Sequence, residues 1–144
     1  MNFFDAIDVC TKPLLNLGFS IIEKRDEGMG KYCRFKSTNY SICFIYDRGP
    51  IHCELEHHDL KTKYKFDLIY LSNYLNNRIT RYEFPNYYFE LNKECSDRYI
   101  CYYVKVVLEN EKKISDFINS IDSKKYQQFI KYCTEENKKQ WDAK

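Results

Sequence analysis

The residues best suited to chemistry are His52, Glu54, Glu56 and His58 in the stretch "IHCELEHHD". They recur at every second position. On a strand, that spacing sets all four on one face, about 7 Å from one neighbour to the next. Imidazole and carboxylate together suit zinc or manganese. A second ligand cluster is not to be found, because the chain has only 3 histidines: His52, His57 and His58. His57 and His58 are adjacent, so on a regular strand their rings diverge and cannot chelate together. We therefore read this face as the solvated side of an amphipathic strand, with metal binding through His52, Glu54, Glu56 and His58 as the alternative. Acid–base catalysis by the same carboxylates needs a cleft that raises one pKa. A cysteine nucleophile is weaker still, since Cys53 faces away from His52 and His58 on a strand. With only 4 glycines and "GMGK" at 28–31 lacking the phosphate-loop spacing, nucleotide chemistry is not expected. No catalytic residues and no cofactor are assigned, and the reading leans away from an enzyme.

The elements that position these residues follow from periodicity. Asn2 can cap a first helix, with Phe3, Ile7, Cys10, Leu14 and Leu17 on one apolar face. Pro13 implies a kink or restart within it, and Gly18 a stop. Four strand-like runs follow at 19–26, 32–38, 40–46 and 51–57. Short turns join them, including "DRGP" at 47–50, where Gly49 suits a positive φ. Tyr40, Ile42, Phe44 and Tyr46 share a face, as do Ile51, Cys53, Leu55 and His57. Residues 58–65 read as a polar connector. Asp67 can cap a helix through about Leu75 that buries Leu68, Leu71 and Leu75. Residues 98–118 read as a helix with Ile100, Val104, Val107, Ile114 and Ile118 inward, although Glu111 interrupts that face. The run "YICYYVKVVL" could instead be a fifth strand. A last helix over 123–141 turns Tyr126, Phe129, Ile130, Cys133 and Trp141 inward. The expected fold is one α+β domain over residues 1–144. It has an N-terminal helix, an antiparallel meander of about four strands, and C-terminal helices packed on one face.

Composition limits the functional classes. The 144 residues are 44% hydrophobic and 31% charged, ordinary for a globular domain. No run approaches the roughly 18 apolar residues of a membrane helix. Asp5 and Asp8 near the start give no basic leader region, so a cytoplasmic location is expected. The 7 cysteines, an odd number with no C-x-x-C pair, then read as small buried hydrophobes rather than disulfides or zinc ligands. The net charge of +2 is interspersed. Lys61, Lys63 and Lys65 form the densest basic patch, but no continuous stripe exists for nucleic acid. Tyrosine abundance accompanies abundant Lys, Asn, Ile and Phe, as codon bias alone would produce. The surface best suited to a partner is the irregular aromatic segment within 76–94. Tyr82, Phe84, Tyr87, Tyr88 and Phe89 surround Pro85, with Arg78 and Arg81 nearby, and Tyr with Arg makes good interface anchors.

The order of helix, "LGF" (17–19), strands, "DRGPI" (47–51) and a short helix near "FDL" (66–68) resembles small bacterial α+β proteins. Some of these are similar to immunity proteins encoded beside polymorphic toxins. The resemblance covers about the first half of the chain. It implies a stoichiometric binder of another protein, and no site residue follows from it. The expected function is thus a small protein-binding module of immunity type.

Overall fold

A computed structural model of the chain describes residues 2–48, 50–59, 61–78 and 96–142, with the side chains of residues 140–142 not described. The chain opens with helix α1, Phe3–Cys10, capped as expected: Asn2 Oδ1 accepts a hydrogen bond from the Asp5 amide at 2.9 Å. The helix breaks at Thr11, and Pro13 starts α2, Lys12–Asn16, at a position where its missing donor costs nothing. Five antiparallel strands follow: β1 (Ser20–Asp26), β2 (Gly30–Lys36), β3 (Tyr40–Asp47), β4 (Ile51–His57) and β5 (Lys65–Asp67). They pair in sequence order as an uninterrupted meander. Three helices complete the described chain: α3 (Leu68–Leu75), α4 (Ser96–Asn119) and α5 (Ser123–Asp142). The architecture is α+β, as the periodicity predicts. No described helix is long and apolar enough to cross a membrane.

Pleating sorts each strand into two faces. Cys33 and Phe35 of β2, Tyr40, Ile42 and Phe44 of β3, Ile51, Cys53 and Leu55 of β4, and Phe66 of β5 are all buried. Helices cover this face. α1 contributes Phe3, Ala6 and Ile7, and α4 contributes Ile100, Val104, Val107, Ile114 and Ile118. Tyr103 ties α4 to the sheet by donating its hydroxyl to the Ile51 carbonyl at 2.7 Å. α5 adds Phe129, whose ring lies 5.4 Å from Phe66 and 5.5 Å from Tyr74.

Several expectations need correction. The polar connector ends early, because Lys65–Asp67 pairs with Glu54–Glu56 as β5. Leu17 is 44% exposed, since the break at Thr11 resets the helical phase before it. Ile130 is 37% exposed, one step off a narrow stripe that buries Phe129 and half-buries Tyr126 and Cys133. The Trp141 side chain and Gly49 lie outside what is described. Among the described residues of the β3–β4 turn, Arg48 has a positive φ, at 57°. Cys10 and Cys101 are not separate buried thiols but a disulfide between α1 and α4. Cys33, Cys43 and Cys53 are buried and free, as expected.

Candidate functional site

The face of the sheet turned away from the helices carries the charges. Register places Glu23, Arg34, Cys43, Glu54 and Asp67 in one row across all five strands. Lys36, Ser41, Glu56 and Lys65 make the next row. Arg34 is its centre. Its Nη2 sits 3.0 Å from Glu56 Oε1, and its Nη1 sits 3.5 Å from Glu23 Oε2. Glu23 also meets Arg25 Nε at 2.8 Å. Lys65 Nζ approaches Glu54 Oε1 at 3.7 Å. The long side chains lie over the middle of the sheet, so Ser41, Cys43 and Glu56 are buried although they face outward. Burial raises the Glu54 carboxyl, against the lowering pull of Lys65. Burial likewise raises Asp67, against hydrogen bonds from the amides of Tyr70 and Ile69.

His52, Glu54 and Glu56 therefore share a face, as their spacing predicts. His58 does not join them. β4 ends at His57, and His58 turns back so that the two rings stack at 4.2 Å, tilted by 33°. The expected divergence of the two imidazoles fails because it assumes a strand that continues. His57 Nδ1 accepts from the Asp59 amide at 3.0 Å, which makes Nε2 the protonated nitrogen when the ring is neutral. Glu56 is committed to Arg34. Among the described residues no group of three or more His, Cys, Asp or Glu side chains could hold a metal ion. Beside His57, a cavity of about 290 Å³ is lined by Glu56, Asp59, Lys63, Tyr64 and Lys65, whose charges oppose one another.

Of the expected partner-binding residues, only Arg78 is described. Its amide donates to the Asn73 carbonyl at 2.8 Å, and its carbonyl accepts from the Tyr132 hydroxyl at 2.9 Å. It thus fastens the end of α3 to α5. Arg81, Tyr82, Phe84, Tyr87, Tyr88 and Phe89 lie outside the described residues.

A different surface emerges at the opposite edge of the sheet. Of the large hydrophobic side chains exposed among the described residues, Val9, Leu15, Leu17, Ile21, Ile22 and Met29 all lie in the first 29 positions. Outside this stretch the others are Leu108 and Ile130. Lys24 Nζ binds Asp8 Oδ1 at 3.1 Å, an exposed ion pair that links α1 to β1. Helical and strand periods do not single this corner out, because they select what faces inward. The signal is the converse. Val9 and Leu15 fall off the buried helical stripe, and two adjacent isoleucines cannot both face a core from one regular strand. A β-bulge at Ile22 accommodates them.

Comparison with known proteins finds no matching family model, no matching curated protein and no matching solved structure.

Proposed function

We propose that the chain is a stoichiometric protein-binding module of the immunity type that its resemblance implies, and that it docks its partner at the α1–α2–β1 corner. The observation that carries the reading is the concentration of exposed apolar side chains in α1, α2 and β1 and the turn between them: Val9, Leu15, Leu17 and Ile22 are 54%, 48%, 44% and 53% accessible. An apolar centre inside a polar rim is the usual layout of a protein interface. Asp8, Glu23, Lys24 and Arg25 supply a rim of mixed sign, which fixes orientation more than affinity. The partner is accordingly a protein with an apolar patch ringed by both charges. Occlusion of that patch is the mode of action, with no bond made or broken.

Co-expression with the product of the adjacent gene, followed by size-exclusion chromatography and calorimetry, tests the proposal. The expected result is a one-to-one complex that survives at micromolar concentration. Ile22→Asp and Leu15→Glu should each weaken it about 100-fold or more, because each buries an unpaired charge at the contact. Absence of a complex at micromolar concentration overturns it, as does full affinity in both variants.

A further inference from the structure

Cys10 ends α1, and Cys101 lies just over one turn into α4. Their sulfurs are bonded across 91 residues of sequence, with Cα atoms 5.1 Å apart. The pair is asymmetric. Cys10 is buried, at 7% exposure, whereas Cys101 is open to solvent. Cys10 Sγ also lies 3.6 Å from the Asp97 carbonyl, an acceptor for its S–H whenever the bond is open.

The remaining described cysteines make a sharp contrast. Cys33, Cys43 and Cys53 are buried, and Cys133 is half-buried. Burial pushes Cys33 and Cys133 up to about 12 and Cys43 up to about 11, and raises Cys53 well above its ordinary value. At neutral pH these thiols hold almost no thiolate, so they neither attack a disulfide nor accept oxidant readily. Among the described cysteines, Cys101 alone is an exposed residue.

We propose that Cys10–Cys101 is a thiol-exchange site that takes low-molecular-weight thiols of the glutathione class, with Cys101 as the sulfur that is attacked and modified and Cys10 as the one that resolves. In the opening direction an external thiolate attacks Cys101 Sγ. A mixed disulfide forms there, the Sγ–Sγ bond breaks, and Cys10 leaves as a thiolate that takes up a proton. A second external thiolate then attacks the sulfur that the first one contributed. Cys101 is released as a thiol, and the two small thiols depart as their disulfide. Two electrons pass from the small thiols to the protein. Closure is the reverse: the Cys101 thiolate attacks a small disulfide, and Cys10 expels the small thiol. The exchange fastens or frees α1 on α4, and it needs no protein partner.

Trypsin places each of the seven cysteines on its own peptide, which makes the test direct. Full-length protein is reduced, freed of reductant, and treated with oxidised glutathione at neutral pH. Samples are quenched with acid over time and mapped by mass spectrometry. The expected transient is one glutathione on the Tyr99–Lys105 peptide. It is lost as that peptide becomes cross-linked to the N-terminal one, Met1–Lys24. In Cys10→Ser the Tyr99–Lys105 adduct should persist instead, and in Cys101→Ser the Cys10 peptide should stay unmodified. Oxidised wild type should melt on the order of 10 °C above the reduced form, as expected for a long closed loop in a domain of this size. Three results each overturn the proposal. One is glutathione landing as readily on the peptides of Cys95, Cys133 or the strand cysteines. Another is wild type retaining its adduct without cross-linking. The third is an oxidised form no more stable than the reduced one. The wild-type time course needs no variant to fold.

Discussion

Arg34 shows how much one side chain organises here. It lies between Glu23 and Glu56, and Glu56 is only 6% exposed. Its own Nε is buried without a hydrogen-bond partner, so the guanidinium is held by its two terminal nitrogens alone. Truncating it leaves Glu56 charged, dehydrated and unmatched. Arg34→Met should therefore cost about 2 kcal/mol in urea unfolding, below the roughly 3–5 kcal/mol of a fully buried pair because Arg34 is partly wet. Lys36→Met, an exposed neighbour on the same strand, should cost almost nothing. Glu54 gives a pH dependence of opposite sense to that of a paired carboxylate. Its folded-state pKa is raised above the ordinary 4.5, chiefly by burial. The folded form then binds more protons than the unfolded chain. This group's contribution to stability consequently falls as pH rises from about 4.5 through the raised value. Glu54→Gln should remove that fall, so its stability relative to wild type should improve between acid and neutral pH. Parallel unfolding curves across the interval will read it. The pairing of His52, Glu54 and Glu56 on one face was legible at this scale, because a two-residue period needs only local backbone. The position of His58 was not, since it depends on where the strand ends.

Elements were legible where a long period repeats. α4 read correctly as a helix even though its first half is rich in β-branched and aromatic residues. Its buried set from Ile100 to Ile118 keeps one helical stripe through the polar second half. The apparent flaw in that stripe, Glu111, is a contact: it accepts hydrogen bonds from the Tyr40 hydroxyl and from Ser115 Oγ. Tyr40 is fully buried, and burial together with Glu111 raises its hydroxyl pKa, so the phenol remains the donor. Tyr40→Phe should cost about 1–2 kcal/mol, measured as a lower denaturation midpoint with an unchanged slope. β5 escaped periodicity because three residues contain a single inward position, Phe66, and no repeat. α3 begins where β5 ends, and Asp67 serves both by accepting from the Tyr70 amide at 3.0 Å. Asp67→Ala should cost about 1 kcal/mol through loss of the cap. Asp67→Asn keeps an acceptor and removes a charge that burial disfavours. It should match or exceed wild type at neutral pH, and that advantage should shrink as pH falls to the ordinary aspartate value of 3.8.

At the scale of the whole molecule, what matters is which chain-distant pieces meet. No local pattern announces that Cys10 and Cys101 do, or that the first strand becomes a free edge, because both depend on the completed sheet order. That order leaves two edges of unequal exposure. β5 has three residues and runs straight into α3, whereas β1 has seven, of which all but Glu23 are exposed. A bare edge of that length invites pairing with another strand. Two features of β1 oppose this. The bulge at Ile22 breaks the regular ladder, and Glu23, Lys24, Arg25 and Asp26 form a continuous run of charges. Lys24 is engaged with Asp8, and Arg25 lies 4.6 Å over the Tyr32 ring, so the cations are held in place along the edge. The α1–α2–β1 corner can then expose Ile22 and its neighbours without recruiting strands indiscriminately. Replacing Lys24 with Val and Arg25 with Thr should remove the electrostatic guard and leave the bulge. Light scattering on the double variant should show association that grows with protein concentration, while wild type stays monomeric. If the variant also stays monomeric, the bulge alone blunts the edge. Deleting Ile22 to restore a regular ladder should then be the change that releases association.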